Sequence, residues 1–276
     1  TSSTMTVTAL AGTTFCVYSS ASADVVVDLV GAFAPDGALF HPMTPTRWAN
    51  SLGPTWQVPV PASPYNPGVQ IDIPVAGHGA VPANATAAAV TVAAINSQWP
   101  GSIGMYPGPC RANPPGTATV TTYLGRSAVS DTIVPIGTNG GICATIGGSA
   151  LHMTITMKGW FGGDPAGGLA YQAGPLTRRL DTRGGARVGA GATVAVATPL
   201  WPLSNVAAIS PTGYGLLVNS PCGAAWPAWQ VYSYVNEVVS SSSFIGPGQN
   251  SQECYGTTQP THITVDVVGQ FVVPIP

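Results

Sequence analysis

The sequence predicts an all-β protein made of tandem β-sandwich-like repeats, stapled by disulfides, with a partial repeat at the N-terminus. Three observations lead to this prediction. Short runs rich in β-branched residues alternate with segments rich in glycine and proline, which favour turns. The chain has 34 glycines and 27 prolines among its 276 residues. One β-rich run occurs three times, and the cysteines recur at a matching interval. No segment shows the 3.6-residue apolar periodicity of a long helix, so short strands in sandwiches are expected.

The repeated run closes each unit. It occupies residues 23–33 (ADVVVDLVGAF), 152–161 (HMTITMKGWF) and 262–271 (HITVDVVGQF), and each copy ends on a phenylalanine two positions after a glycine. A cysteine precedes that phenylalanine by 17, 18 and 17 residues in the three copies. This spacing fixes the register in which the copies are compared.

The remaining cysteines follow the same period. Cys110 lies 33 residues before Cys143, and Cys222 lies 32 residues before Cys254. We therefore predict the disulfides Cys110–Cys143 and Cys222–Cys254, each stabilising the fold by about 3 to 4 kcal/mol in the loop-entropy account. Cys16 has no counterpart before it in the sequence, so it is free, paired between molecules, or orphaned by processing. Disulfides indicate an extracellular, cell-surface or virion-surface location, whereas five reduced cysteines would indicate a cytosolic protein.

The repeat divides the chain into three parts. Residues 1–34 correspond to the C-terminal part of a truncated repeat, and residues 35–163 and 164–276 form complete β repeats. The junctions at 34–37 and 162–168 are rich in glycine, proline and aspartate, as expected of linkers. An isolated end of a repeat leaves open strand edges, so we expect residues 1–34 to pack on the neighbouring repeat or on another copy by strand addition.

Within the two complete repeats, several runs are predicted to be strands. Residues 86–95 combine alanine with β-branched residues. Residues 117–124 alternate polar and apolar side chains and align with residues 229–235 of the following repeat.

Charge is scarce, which excludes one class of partner. Only 7% of residues are charged, the formal net charge is −2, and Lys158 is the single lysine. Nucleic-acid binding requires many basic side chains opposite phosphates, so no nucleic acid is expected. The uncharged stretch 79–110 is interrupted by prolines, asparagines and glycines, so membrane insertion is not expected either.

The densest cluster of charge falls in one place. Five charged side chains lie between Arg178 and Arg187, and we predict a structural ion-pair node there, formed by Arg178, Asp181, Arg183 and Asp266. In the preceding repeat, Leu52 aligns with Arg183 and Thr156 with Asp266. Because both members disappear together, we predict that Arg183 pairs with Asp266.

The same residues carry a family resemblance. The segment 178–183 (RRLDTR), followed by 266–271 (DVVGQF), resembles a tandem β-rich module with an Arg-x-x-Asp-Thr-Arg signature that recurs in secreted and cell-wall-associated actinobacterial proteins. The resemblance extends over nearly the whole chain. It implies a non-catalytic surface or accessory domain rather than an enzyme.

No pattern of catalytic residues contradicts that implication. The sequence has no Gly-x-Ser-x-Gly elbow, His-Glu-x-x-His pair, Walker loop or Cys-x-x-Cys motif. His152 and His262 occupy equivalent places in the closing runs, which favours a repeated structural position over a metal site. We therefore predict no enzymatic activity, no catalytic residue, no metal and no cofactor.

Aromatic side chains are the remaining candidates for ligand recognition. Trp226, Trp229 and Tyr232 follow Cys222 closely and could stack on sugars, although filling the sandwich or an interface is the alternative. The sequence therefore predicts a non-catalytic extracellular structural protein, an assembling subunit of a surface layer, filament or virion. Its expected partners are further copies of itself or a neighbouring surface protein. The alternative is a carbohydrate or cell-wall binding module with a polysaccharide as ligand.

Overall fold

The structure is a computed structural model that describes residues 3–8, 10, 12–19, 21–53, 57–223, 231–235, 237–244 and 251–274, with residues 231–235 described by their backbone alone. These residues form β-strands and no α-helix, so the predicted all-β class is confirmed. The strands are β1 (Leu39–Asn50), β2 (Gln70–Pro74), β3 (Ala87–Ile95), β4 (Gly101–Pro107), β5 (Val120–Thr122), β6 (Ala128–Pro135), β7 (Gly141–Gly147), β8 (His152–Gly162), β9 (Ala170–Asp181), β10 (Thr193–Ala197), β11 (Pro202–Ile209), β12 (Tyr214–Pro221), β13 (Val231–Val235), β14 (Val239–Phe244), β15 (Gln252–Thr257) and β16 (His262–Val272).

The strands pair into four antiparallel sheets of four strands each. Sheet I has the order β1-β8-β3-β6 and sheet II the order β2-β7-β4-β5. Sheet III (β9-β16-β11-β14) and sheet IV (β10-β15-β12-β13) repeat those two orders with every strand number raised by eight. The closing runs 152–161 and 262–271 thus lie in β8 and β16, each between two neighbouring strands.

Each pair of sheets encloses its own apolar core. Alternate residues of β8, Met153, Ile155 and Met157, face sheet II and join a cluster with Ile103 and Ile142. The second core, between sheets III and IV, is built in the same way and includes Val206, Leu217 and Val265. These cores account for the sandwich architecture, since each sheet buries one apolar face.

A third apolar cluster joins the two sandwiches. It contains Phe161 at the end of β8 and Phe271 at the end of β16, with Phe33 packed against them. The ring centroids of these three phenylalanines lie 6.2, 5.7 and 6.2 Å apart, for the pairs Phe33–Phe161, Phe33–Phe271 and Phe161–Phe271. The phenylalanine that ends each closing run therefore lies where the two sandwiches meet.

The first copy of the closing run behaves differently. Residues 23–33, which the sequence predicts as a strand, form no strand in the structure. Val26 and Leu29 are 86% and 85% exposed. The strand predicted here is wrong because β8 and β16 exist through hydrogen bonds to a strand on each side, and residues 23–33 face no such strand within the described part of the chain.

Residues near both ends of the longer N-terminal segment 1–34 nevertheless contact the two sandwiches. The Phe33 ring stacks on Tyr171 of β9 with centroids 4.2 Å apart. Ser242 of β14 donates a hydrogen bond to the carbonyl of Met5, and Ser3 donates to the carbonyl of Thr119. The segment thus contacts both sandwiches while its middle is exposed.

The other predicted strands are present with altered ends. Residues 86–95 contain β3, whereas residues 117–124 shrink to the three-residue β5. Residues 231–235 of the predicted strand 229–235 form β13, and residues 229 and 230 lie outside the described residues. No helix in the described residues has the length and hydropathy needed to cross a membrane.

Candidate functional site

Both predicted disulfides are present. Cys110 bonds Cys143 of β7, and Cys222 bonds Cys254 of β15, with Cα atoms 5.2 and 4.9 Å apart. Each bridge fastens an equivalent strand of its sandwich to a loop. Cys16, at the position that Cys143 and Cys254 hold in the complete repeats, is an exposed free thiol.

The ion-pair node forms, but with a different partner for Asp266. Arg178 Nε and Nη2 donate to Asp266 Oδ1 and Oδ2, each at 2.8 Å, and Arg178 Nη1 lies 3.1 Å from Asp181. The expected pairing of Arg183 with Asp266 is wrong, since Arg183 instead binds Asp181. The reason is register: Arg178 lies directly opposite Asp266 across β9 and β16, whereas Arg183 lies beyond the last residue of β9.

Electrostatics within the node follow these contacts. Hydrogen bonds from Arg183 hold the pKa of Asp181 well below its usual range, and the bidentate bond to Asp266 raises the pKa of Arg178. The arginine side chains are about half exposed, so water screens these charges. The node is a surface staple between two strands. In the first sandwich, Arg47 lies opposite Thr156 in place of an aspartate.

The two histidines of the closing runs serve as a repeated staple. His262 Nδ1 lies 2.9 Å from the carbonyl oxygen of Thr182, and His152 Nδ1 lies 3.1 Å from that of Ser51. The same Ser51 and Thr182 hydroxyls accept the backbone N–H that follows each histidine, at 2.9 Å. Both rings therefore anchor a strand end. No group of three or more metal-ligating side chains occurs among the described residues.

The predicted aromatic ligand site is only partly visible. Trp226 and Trp229 lie outside the described residues, and for Tyr232 the structure gives the backbone position in β13 alone. The site stays a prediction. In the first sandwich, Trp99 is 65% exposed and Tyr123 is 41% exposed.

These two exposed aromatics belong to one end of sheet II. Trp99 precedes β4 and Tyr123 follows β5, and the strands pair there through Gly101 and Thr122. The guanidinium of Arg126 lies over the Tyr123 ring, 5.8 Å from its centroid. Exposed aromatic rings, one of them with a cation over its face, are side chains that can stack on a sugar ring.

One ion pair was not foreseen from the sequence. Lys158 of β8 contacts Asp131 of β6, and both side chains are completely buried. Thr91 Oγ1, on the intervening strand β3, donates to Asp131 Oδ1 at 2.7 Å, and the backbone N–H of Phe244 donates to Oδ2 at 3.3 Å. Burial lowers the pKa of Lys158. The only hint in the sequence was a single lysine inside a strand of buried residues.

A second buried carboxyl lies in the core of the second sandwich. Glu253 of β15 stands where the first sandwich has the core residue Ile142, one position before the bridged cysteine. Tyr255 donates its hydroxyl to Glu253 Oε2, and no hydrogen-bond partner for Oε1 is found among the described residues. Burial raises the pKa of Glu253 to about 7.

No family model matches this chain, and no curated protein matches it significantly.

Proposed function

We propose that this chain is a non-catalytic structural protein of an extracellular surface, and that it assembles by strand addition through residues 23–33. The supporting observation is the contrast between three copies of one sequence. Two copies are strands flanked on both sides, β8 and β16, whereas the third has no paired strand in the described residues and exposes its apolar side chains.

Energetics favour covering this segment. Val25, Val26, Val27, Leu29 and Val30 are all about half exposed or more. Burying one such side chain fully contributes about 1.5 to 3 kcal/mol, so covering even part of the run outweighs much of the cost of ordering it. Added strands also gain backbone hydrogen bonds.

The remainder of the molecule suits an exposed structural role. Two disulfides are compatible with an oxidising extracellular environment. The sheets carry few charges, and the charged residues around Arg178 form ion pairs that join two neighbouring strands. These features support the proposed surface location.

Light scattering coupled to size-exclusion chromatography tests this proposal over a wide range of concentrations. We expect oligomers that grow with concentration and that disappear in a Val26→Ser/Leu29→Ser variant. The matched control is Leu200→Ser/Val238→Ser, which removes one leucine and one valine that are also more than half exposed but lie elsewhere. A chain that stays monomeric at the highest concentration, or oligomers lost equally in both variants, would contradict assembly through this run.

A second candidate is a carbohydrate or cell-wall binding module, supported by the exposed pair Trp99 and Tyr123 beside Arg126. Co-sedimentation with insoluble peptidoglycan or polysaccharide tests it. Loss of binding in Trp99→Ala points to the sheet II surface, and loss in Trp226→Ala/Trp229→Ala points to the aromatic cluster predicted from the sequence. Absence of binding by the unmodified chain argues against this candidate.

A further inference from the structure

The buried contact between Lys158 and Asp131 is energetically costly for a contact that only holds two strands together. The chain has one lysine in 276 residues, and its side chain is fully buried against a fully buried aspartate. Removing two charges from water costs several kcal/mol per ion even in real protein interiors, and hydrophobic replacements are often equally stable. A chain that otherwise uses so few charges retains this expensive pair in its interior.

We propose that Lys158 and Asp131 react with each other to form an intramolecular amide bond that joins β8 to β6. The amine nitrogen and the carboxyl group are already in contact across β3. Pairing with β3 holds both backbones, and β8 is also paired with β1 on its other side, so little entropy remains to be lost on reaction. Fixed reacting groups of this kind reach very high effective molarities.

The surroundings of the carboxyl group favour attack on it. Thr91 Oγ1 donates to one oxygen at 2.7 Å, and the Phe244 N–H donates to the other at 3.3 Å. Negative charge builds on a carboxyl oxygen when an amine adds to the carbon, and donors already in place stabilise that charge. Phe244 comes from sheet III, so the second sandwich completes the site.

The reaction balances without any co-reactant. A proton passes from Lys158 Nζ to the Asp131 carboxylate, which gives a neutral amine and a carboxylic acid. Nζ then adds to Cγ, the carbon–oxygen bond to the hydroxyl breaks, and that hydroxyl leaves as water with a second proton from the nitrogen. The products are one amide bond and one water molecule.

The protein interior favours both the first step and the product of this reaction. Burial lowers the pKa of Lys158, which assists formation of the neutral amine that attacks. The amide carries no charge, so the reaction abolishes the desolvation cost of an ammonium and a carboxylate. The bond would span β3 and lock three of the four strands of sheet I together.

Intact mass spectrometry of the purified, denatured full chain tests the proposal directly. We expect a mass one water molecule below that calculated for the chain with its two disulfides, and digestion fragments in which residues 131 and 158 are joined. Amine labelling of the denatured chain gives an independent count. A bonded Lys158 leaves only the terminal amine to react, whereas a free Lys158 gives two labels.

Two variants distinguish the proposed amide bond from any other reaction that removes a water molecule from the chain. Lys158→Met keeps an unbranched side chain but removes the amine, and Asp131→Ala removes the carboxyl group, so both should have the full calculated mass. The proposal is overturned if the unmodified chain has its full mass and takes two labels, or if Lys158→Met still lacks one water. Neither result depends on how well the variants fold.

Discussion

Arg178 and Asp266 face each other across β9 and β16 and form a two-point ion pair, with both contacts at 2.8 Å. The pairing of two oxygens with two nitrogens fixes the register of these strands as well as joining them. The equivalent residue of the first copy of the run is Asp28, which has the same carboxylate but no neighbouring strand in the described residues.

Replacing Asp266 by asparagine should lower the thermal stability of the chain more than replacing Arg183 by leucine. Asp266→Asn breaks the charge-assisted bond between strands, whereas Arg183→Leu removes a contact within one strand end. A double-mutant cycle of Arg178→Leu with Asp266→Asn, followed by differential scanning calorimetry, should show non-additive losses. Additive losses would mean that the two side chains do not act together.

Gly269→Ala should destabilise the second sandwich by about 1 to 3 kcal/mol, the usual cost of overpacking a filled site. A Cβ at Gly269 would collide with the Tyr171 ring, just as one at Gly159 would collide with the Phe40 ring. Gly31 is the third copy of this glycine and has open space around it. Denaturant titration should therefore show little change for Gly31→Ala.

The same Gly31→Ala variant also tests how residues 23–33 are covered in the assembly. If a strand with an aromatic residue like Phe40 or Tyr171 covers residues 23–33 in the assembly, the added methyl group should weaken oligomers without altering the monomer. Analytical ultracentrifugation measures this effect. Unchanged association would show that the run is covered in some other way.

Removing the Cys110–Cys143 bridge by a double substitution to alanine should cost about 3 to 4 kcal/mol in the loop-entropy account. Cys16→Ser is the matched control, because this thiol has no disulfide partner in the structure. Urea denaturation should show a lower midpoint for the first variant alone. An equal shift in both would contradict the structural assignment of the bridge.

Stability should fall as pH rises from about 4.5 to 7 because of Glu253. Burial raises the pKa of this carboxyl from its ordinary 4.5 to about 7, so the folded chain binds more protons than the unfolded chain in that range. The favourable contribution is complete below pH 4.5 and is lost through the folded pKa. Glu253→Gln should flatten this part of the stability profile, and an unchanged slope would assign it to another group.

The sequence predicted the features that depend on spacing along the chain. Equal intervals between cysteines predicted both bridges, and the closing runs predicted β8 and β16. Such intervals carry information because repeats of one fold place equivalent residues in equivalent pairs.

Features that depend on neighbours distant in sequence were predicted less well. The joint absence of an arginine and an aspartate suggested Arg183 as the partner of Asp266, but a bulge between Val265 and Asp266 helps to set the register that selects Arg178. Residues 23–33 have strand-forming residues and yet no strand, because a strand also requires its partners. The burial of Lys158 depends on the meeting of sheets I and III, which no local pattern reveals.

The nearly equal separations among Phe33, Phe161 and Phe271 describe a triangle of rings, one from each copy of the closing run. Two corners of this triangle are the ends of complete sandwiches. The third corner is already occupied by Phe33, although residues 23–32 carry no sheet. Any strand that pairs with residues 23–32 would therefore lie next to the place where the two existing sandwiches already meet.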